Sequence, residues 1–229
     1  MLDELRKQVL EANLELVRRG LVLYTFGNAS GISRADGLVA IKPSGVPYEG
    51  MRPEDLVITD LNGRIVEGAL RPSSDLATHL VLYRAFAGIG GVVHTHSRFA
   101  TSWAQARRPI PCLGTTHADY FRGPVPVTPA MTPGEIESAY EANTGEVIAR
   151  HFAGNNPLEV PAVLVAGHGP FCWGPTAAEA AHNAVILEYV AEMAFYSVTM
   201  ADTAEELHPA HLDKHFLRKH GAKAYYGQK

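Results

Sequence analysis

The stretch GGVVHTHSRFAT, from Gly90 to Thr101, decides how this chain is read. A short β-branched run ends on His94 and His96, which stand two apart. In a strand the side chains of residues i and i+2 leave the same face, so both imidazoles can point at one object, and a metal ion is the candidate. The residues before it, PSSDLATHLVLYRAF, read as a helix feeding the strand, with a serine cap and with Leu76, Leu80, Tyr83 and Ala87 on one face. SRFATSWAQA reads as a helix leaving it. Isolated histidines mostly satisfy local hydrogen bonds, so a metal site needs a third ligand from elsewhere.

VLVAGHGPF supplies it. His168 follows an apolar run and sits between Gly167 and Gly169, which permit a sharp turn and close approach to a ligand. His94, His96 and His168 make a three-histidine set suited to Zn2+, one per subunit, although such sets also accept Mn2+ or Co2+. Asp75, at the start of the feeding helix, reads locally as a carboxylate serving the helix dipole. Three small polar turns are candidates for holding an anion: TFGNAS at Gly27 and Asn28, KPSGV from Lys42 through Ser44 to Gly45, and PSSD at Ser73 and Ser74. The last precedes a helix, where oriented N–H groups favour phosphate.

Farther out, MLDELRKQVLEANLELVRRG places Leu5, Val9, Ala12 and Leu16 on one face and stops at Gly20, an amphipathic helix. LVLYTF, LVAIK, DLVITD and GRIVEG read as strands, the last two joined by a Leu61-Asn62-Gly63 hairpin turn. A helix around TPGEIESAYEANTGEVIARHF, the strand PAVLVA, a long helix from Thr176 to about Met200 and a short one near HLDKHFLRKH follow. Strands clustered early with helices spread through the rest imply an α/β sandwich with a largely antiparallel central sheet, in one domain over residues 1–229. With 20 basic against 24 acidic residues there is no overall basic field for nucleic acid or an anionic membrane. No apolar run approaches the roughly 20 residues of a spanning helix, and the charged N-terminus is not expected to be a signal peptide. Two cysteines, Cys112 and Cys172, suit a reducing cytoplasm and read as small buried hydrophobes.

Taken in order, GNAS, IKPSGV, PSSD, HTHS, GTTHADYF, GHGPF and the ending LRKHGAKAYYGQK resemble the L-ribulose-5-phosphate 4-epimerase family of the class II aldolase and adducin-like superfamily. The resemblance implies an α/β/α sandwich and a cytoplasmic homotetramer with active sites between subunits, the tail 208–229 contributing to one. It implies zinc at His94, His96 and His168, with Asp75 beside the metal. Gly27, Asn28, Lys42, Ser44, Gly45, Ser73 and Ser74 would hold a sugar phosphate, and Asp119 with Tyr226 would be the acid/base pair. The implied reaction interconverts L-ribulose 5-phosphate and D-xylulose 5-phosphate. The C4 hydrogen is not acidic, so breaking C3–C4 by a retro-aldol step, rotating the aldehyde and re-adding it is the easier route, with the cation as Lewis acid. An aldolase of the same superfamily would release the fragments instead; sugar-phosphate aldolases there carry a longer glutamate where this chain has Asp75. A metal-free adducin-like interaction domain is disfavoured by the three histidines. An amidohydrolase barrel would need repeated βα units that the meander lacks. Ala166 and Gly167 stand before His168 where relatives often carry bulkier polar residues.

Overall fold

The computed structural model describes residues 2–201 and 203–227. Gln228 and Lys229 of the AYYGQK ending lie outside the described residues, as do Met1 and Asp202. Helix α1 (Leu2–Arg18) buries Val9, Ala12 and Leu16 along one stripe and gives way at Gly20, whose φ is +68°. Strands β1 (Asn28–Ser33), β2 (Leu38–Ile41), β3 (Val57–Asp60) and β4 (Ile65–Glu67) form an antiparallel meander. The β3–β4 turn is the expected one: Gly63 donates to the Asp60 carbonyl at 3.0 Å and the Asp60 carboxylate accepts from the Asn62 N–H at 2.9 Å. Helix α2 (Leu76–Ala85), β5 (Gly91–His94), α3 (Arg98–Gln105), the short α4 (Thr115–Ala118) and α5 (Pro133–Glu137), and α6 (Tyr140–His151) come next. Strands β6 (Ala162–Leu164) and β7 (Pro170–Gly174) and helices α7 (Ala177–Met200) and α8 (Pro209–His220) complete the chain.

The seven strands run in the order β4-β3-β2-β1-β5-β7-β6 with every ladder antiparallel, as expected from the sequence. Alternation along β5 divides the core. Val93 packs with α1, α3 and α7 on one face of the sheet, and Val92 packs with α2 and α6 on the other. Both valines are buried, because helices cover both faces. Among the described residues no helix is long and apolar enough to cross a membrane.

Several expected elements differ. LVLYTF is not a strand: Leu23, Tyr24 and Phe26 are exposed and Tyr24 has φ +53°. The strand begins instead at Asn28, within the TFGNAS segment read as a polar turn, and NASGIS lies at the centre of the sheet. PFCWG was not expected as a strand, yet β7 is buried throughout. The single helix expected over TPGEIESAYEANTGEVIARHF is two, broken at Ser138 (ψ −114°) and Ala139. The cap of α2 is Asp75 and not a serine; Ser73 Oγ instead accepts the Asp75 N–H at 3.3 Å, and Ala87 falls beyond the helix end.

Candidate metal and sugar-phosphate site

β5 delivers His94 at its last residue, buried, with its ring stacked 4.2 Å from that of Phe171 on the paired strand. His96 lies beyond the strand end, so strand alternation alone does not align the pair as the sequence implied. The rings nevertheless meet at 4.9 Å between centroids. The β6–β7 turn brings in His168, 4.7 Å from the His94 ring and 5.0 Å from the His96 ring. Both flanking glycines have a reason: Gly167 has φ +75°, and a Cβ on Gly169 would lie 2.9 Å from the Thr95 carbonyl oxygen.

The donor set fits a divalent ion. One nitrogen from each ring lies within 4.8 Å of the others. His94 Nδ1–H donates to the Pro170 carbonyl at 2.9 Å, which leaves Nε2 bare and 3.1 Å from His96 Nε2. Two ligands of a tetrahedral zinc with bonds of about 2.0–2.1 Å stand about 3.3 Å apart, close to that separation. Burial, with repulsion from His168 and His96, pushes His94 well below the ordinary imidazole range despite its bond to Pro170. Burial also lowers His96 and His168, against the opposing pull of Asp75. All three are therefore neutral lone-pair donors at neutral pH, the form a metal requires.

Asp75 stands beside these rings at the head of α2. Asn28, paired across the ladder with His94, donates through Nδ2 to Asp75 Oδ2 at 2.6 Å and to Ser73 Oγ at 3.1 Å. One turn further along α2, His79 meets Ser30 Oγ at 2.7 Å, and Ser30 meets the Tyr83 hydroxyl at 2.8 Å. Burial pushes His79 down to about 3, so it stays neutral and serves as a polar pin between α2 and β1.

The two serine turns are stitched together. Ser44 N–H donates to the Arg71 carbonyl and Ser73 N–H to the Lys42 carbonyl, each at 3.0 Å, across a Pro43–Pro72 bridge. Those two N–H groups are thus occupied, while the Ser44 and Ser74 side chains remain exposed. Lys42 is buried under the first turn, with Nζ donating to the Val46 carbonyl at 2.7 Å and lying 4.7 Å over the Tyr48 ring. The Tyr48 hydroxyl in turn donates to the Gly27 carbonyl at 2.8 Å.

One cavity of about 400 Å³ gathers Gly27, Asn28, Lys42, Ser44, Gly45, Ser73, Ser74, Asp75, His94, His96 and His168. Thr25, Phe26, Tyr140 and Glu141 also line it and were not singled out from the sequence. No local signal marks the last two, because a continuous helical pattern hides the break at Ser138 and Ala139 that places them. Asp119 and Tyr226 are not among the lining residues. Arg218 of α8 grips the Asp119 carboxylate with Nε at 3.0 Å and Nη2 at 2.7 Å, and His215 Nδ1 lies 3.0 Å away. Burial would raise Asp119, but the bonds from Arg218 and His215 and the charge of Lys219 outweigh it and hold the carboxyl below its ordinary value. The Arg218 guanidinium also lies 4.7 Å over the Tyr226 ring. The two residues therefore share one cation at a place separate from the histidines.

Comparison with known proteins bears on this arrangement. The profile of the family described as Class II Aldolase and Adducin N-terminal domain matches residues 7–195. An L-fuculose 1-phosphate aldolase structure is similar at 27% identity and TM-score 0.78, over 93% of this chain and 94% of that one. The L-fuculose-1-phosphate aldolase of Thermus thermophilus is 27% identical with TM-score 0.69, over 89% and 98%. YgbL of Klebsiella pneumoniae, described as a candidate aldolase/epimerase/decarboxylase, is 25% identical with TM-score 0.75, over 93% and 98%.

Proposed function

The chain belongs to the class II aldolase and adducin N-terminal domain family, and from that premise we propose that it interconverts L-ribulose 5-phosphate and D-xylulose 5-phosphate by breaking and remaking C3–C4. The observation that carries this reading is the convergence of three neutral imidazoles with Asp75 and two serine turns in one cavity. His94, His96 and His168 would hold a divalent ion, Zn2+ by the donor set, with Asp75 beside it. Bound there, the ion supplies Lewis acidity toward the charge that develops when C3–C4 breaks. The Ser44–Gly45 and Ser73–Ser74 turns, backed by the Lys42 charge, hold the phosphate, and Asn28 fixes the Asp75 carboxylate. A held phosphate keeps the two-carbon aldehyde in place while it turns over.

The C4 hydroxyl of the two epimers projects to opposite sides, so one fixed base cannot serve both. Asp119 and Tyr226 take the two sides, delivered by a neighbouring copy in a homotetramer, since within one chain they sit on Arg218 and away from the cavity. The two buried, unpaired cysteines agree with a cytoplasmic enzyme. The names of two similar structures favour a second reading, a sugar-phosphate aldolase that releases the fragments. The short Asp75, drawn onto Asn28, favours the epimerase.

Metal-loaded protein is expected to convert L-ribulose 5-phosphate to D-xylulose 5-phosphate, and chelator-stripped protein to regain turnover when Zn2+ is restored. His96→Ala should lose most of its metal by elemental analysis. Full activity in stripped protein or in that variant would refute the proposal.

A further inference from the structure

Tyr140 lines the cavity without a part in the reaction as described. It is the first residue of α6, whose start is pinned to α2: Thr78 Oγ1 donates to the Glu141 carbonyl at 2.6 Å. The two helices close tightly at Gly145, where a Cβ would lie 2.7 Å from Val81 Cβ and 3.0 Å from the Thr78 carbonyl oxygen. The helix that presents Asp75 at its head thus also sets the place of Tyr140. Its hydroxyl lies 3.4 Å from His168 Nδ1, with the two rings tilted by 37°.

His94 and His168 differ in how their rings are held. His94 is buried on a strand, stacked on Phe171, and its Nδ1–H is fixed by the Pro170 carbonyl. His168 stands on a glycine turn and is only half-buried. The Tyr140 hydroxyl oxygen lies beside its Nδ1. A ligand imidazole whose second nitrogen is engaged by an oxygen has its tautomer and ring plane set, and becomes a better donor.

We propose that Tyr140 is a positioning residue for the metal site: its hydroxyl oxygen accepts the His168 Nδ1 proton, so that Nε2 is the nitrogen presented to the ion. The proposal rests on the three-histidine reading above. Tyr140→Phe removes only the hydroxyl at a half-buried position, so the fold survives. Chelator competition on the full-length protein should show Zn2+ affinity weakened about 10- to 100-fold in this variant. The melting temperature of the metal-free protein should not change, and the visible absorption bands of the Co2+-loaded variant should shift. Tyr140→Leu, which also removes the ring, should weaken binding no further. A wild-type protein that bound no Zn2+ would refute the three-histidine reading itself. Tight binding by wild type beside an equal affinity and an unchanged Co2+ spectrum in Tyr140→Phe would overturn the role of Tyr140 alone. Loss confined to Tyr140→Leu would assign the effect to ring packing and overturn it as well.

Discussion

Lys42 has a charge that burial makes expensive, and its ammonium is pushed down from the ordinary 10.5 to about 8. Below that pH it is protonated and, in the proposed reaction, would draw the anionic end of a sugar phosphate toward the Ser44–Gly45 turn; above it that attraction would be lost. KM for the sugar phosphate should therefore rise as pH climbs through about 8, with metal content constant; a KM flat across that range would remove Lys42 from binding. At this scale the sequence was most legible where chemistry was written into spacing. His94 and His96 announce themselves by a two-residue interval, and His168 by its flanking glycines. The clamp of Asn28 on Asp75 and Ser73 was not readable, because it joins residues 47 and 45 positions apart. Tyr140 was hidden for a related reason: nothing in its own neighbourhood marks it, and only the packing of α6 on α2 brings it to His168.

Among elements, β1 shows where local pattern fails. LVLYTF has the residue types of a strand, whereas NASGIS has those of a turn, and the chain reverses the two. The centre of the sheet is crowded: a Cβ on Gly31 would lie 2.8 Å from Val9 Cγ2, so small residues are what the position admits. Asn13 of α1 bonds β1 directly, accepting from the Ala29 N–H at 2.9 Å and donating to the Ala29 carbonyl at 3.1 Å. Tertiary contact here overrides strand propensity. β7 was missed because its terminal proline and glycine look like loop punctuation. β5 is held to α7 by an equally close approach, and a Cβ on Gly91 would come within 2.4 Å of the Ala177 Cα, a backbone atom that cannot swing aside. Gly91→Ala should cost about 3 kcal/mol or more in denaturant melts and lower metal affinity by displacing His94. Wild-type stability in that variant would contradict the packing of β5 against α7.

At the scale of the whole molecule, Asp119 and Tyr226 stand on Arg218, apart from the cavity that holds the histidines. The antiparallel sheet with helices around it was legible, because strands cluster early in the chain and amphipathic helices are spread through the rest. The expectation of a homotetramer came from the resemblance alone, since residues that would meet another copy look like ordinary exposed side chains. Tyr189, Phe195, Tyr196 and Met200 of α7 are exposed, and so are Leu23, Tyr24 and Phe26 next to the cavity. Large apolar surface of this kind is what subunit contacts cover. Mixing His96→Ala with Tyr226→Phe subunits, each inactive alone, should restore turnover, because some sites would combine an intact histidine set with an intact phenol. No recovery in mixtures shown to exchange subunits would place Tyr226 in the same chain's site or outside catalysis.

In the proposed reaction C3–C4 breaks and reforms with the aldehyde retained. The most direct measurement is the reaction of L-ribulose 5-phosphate in D2O with metal-loaded protein, followed by NMR. The expected product is D-xylulose 5-phosphate carrying protium at C4, because that hydrogen never leaves its carbon, with no accumulation of free glycolaldehyde phosphate. Deuterium at C4 would contradict the cleavage route, and fragments as the main product would make the protein an aldolase.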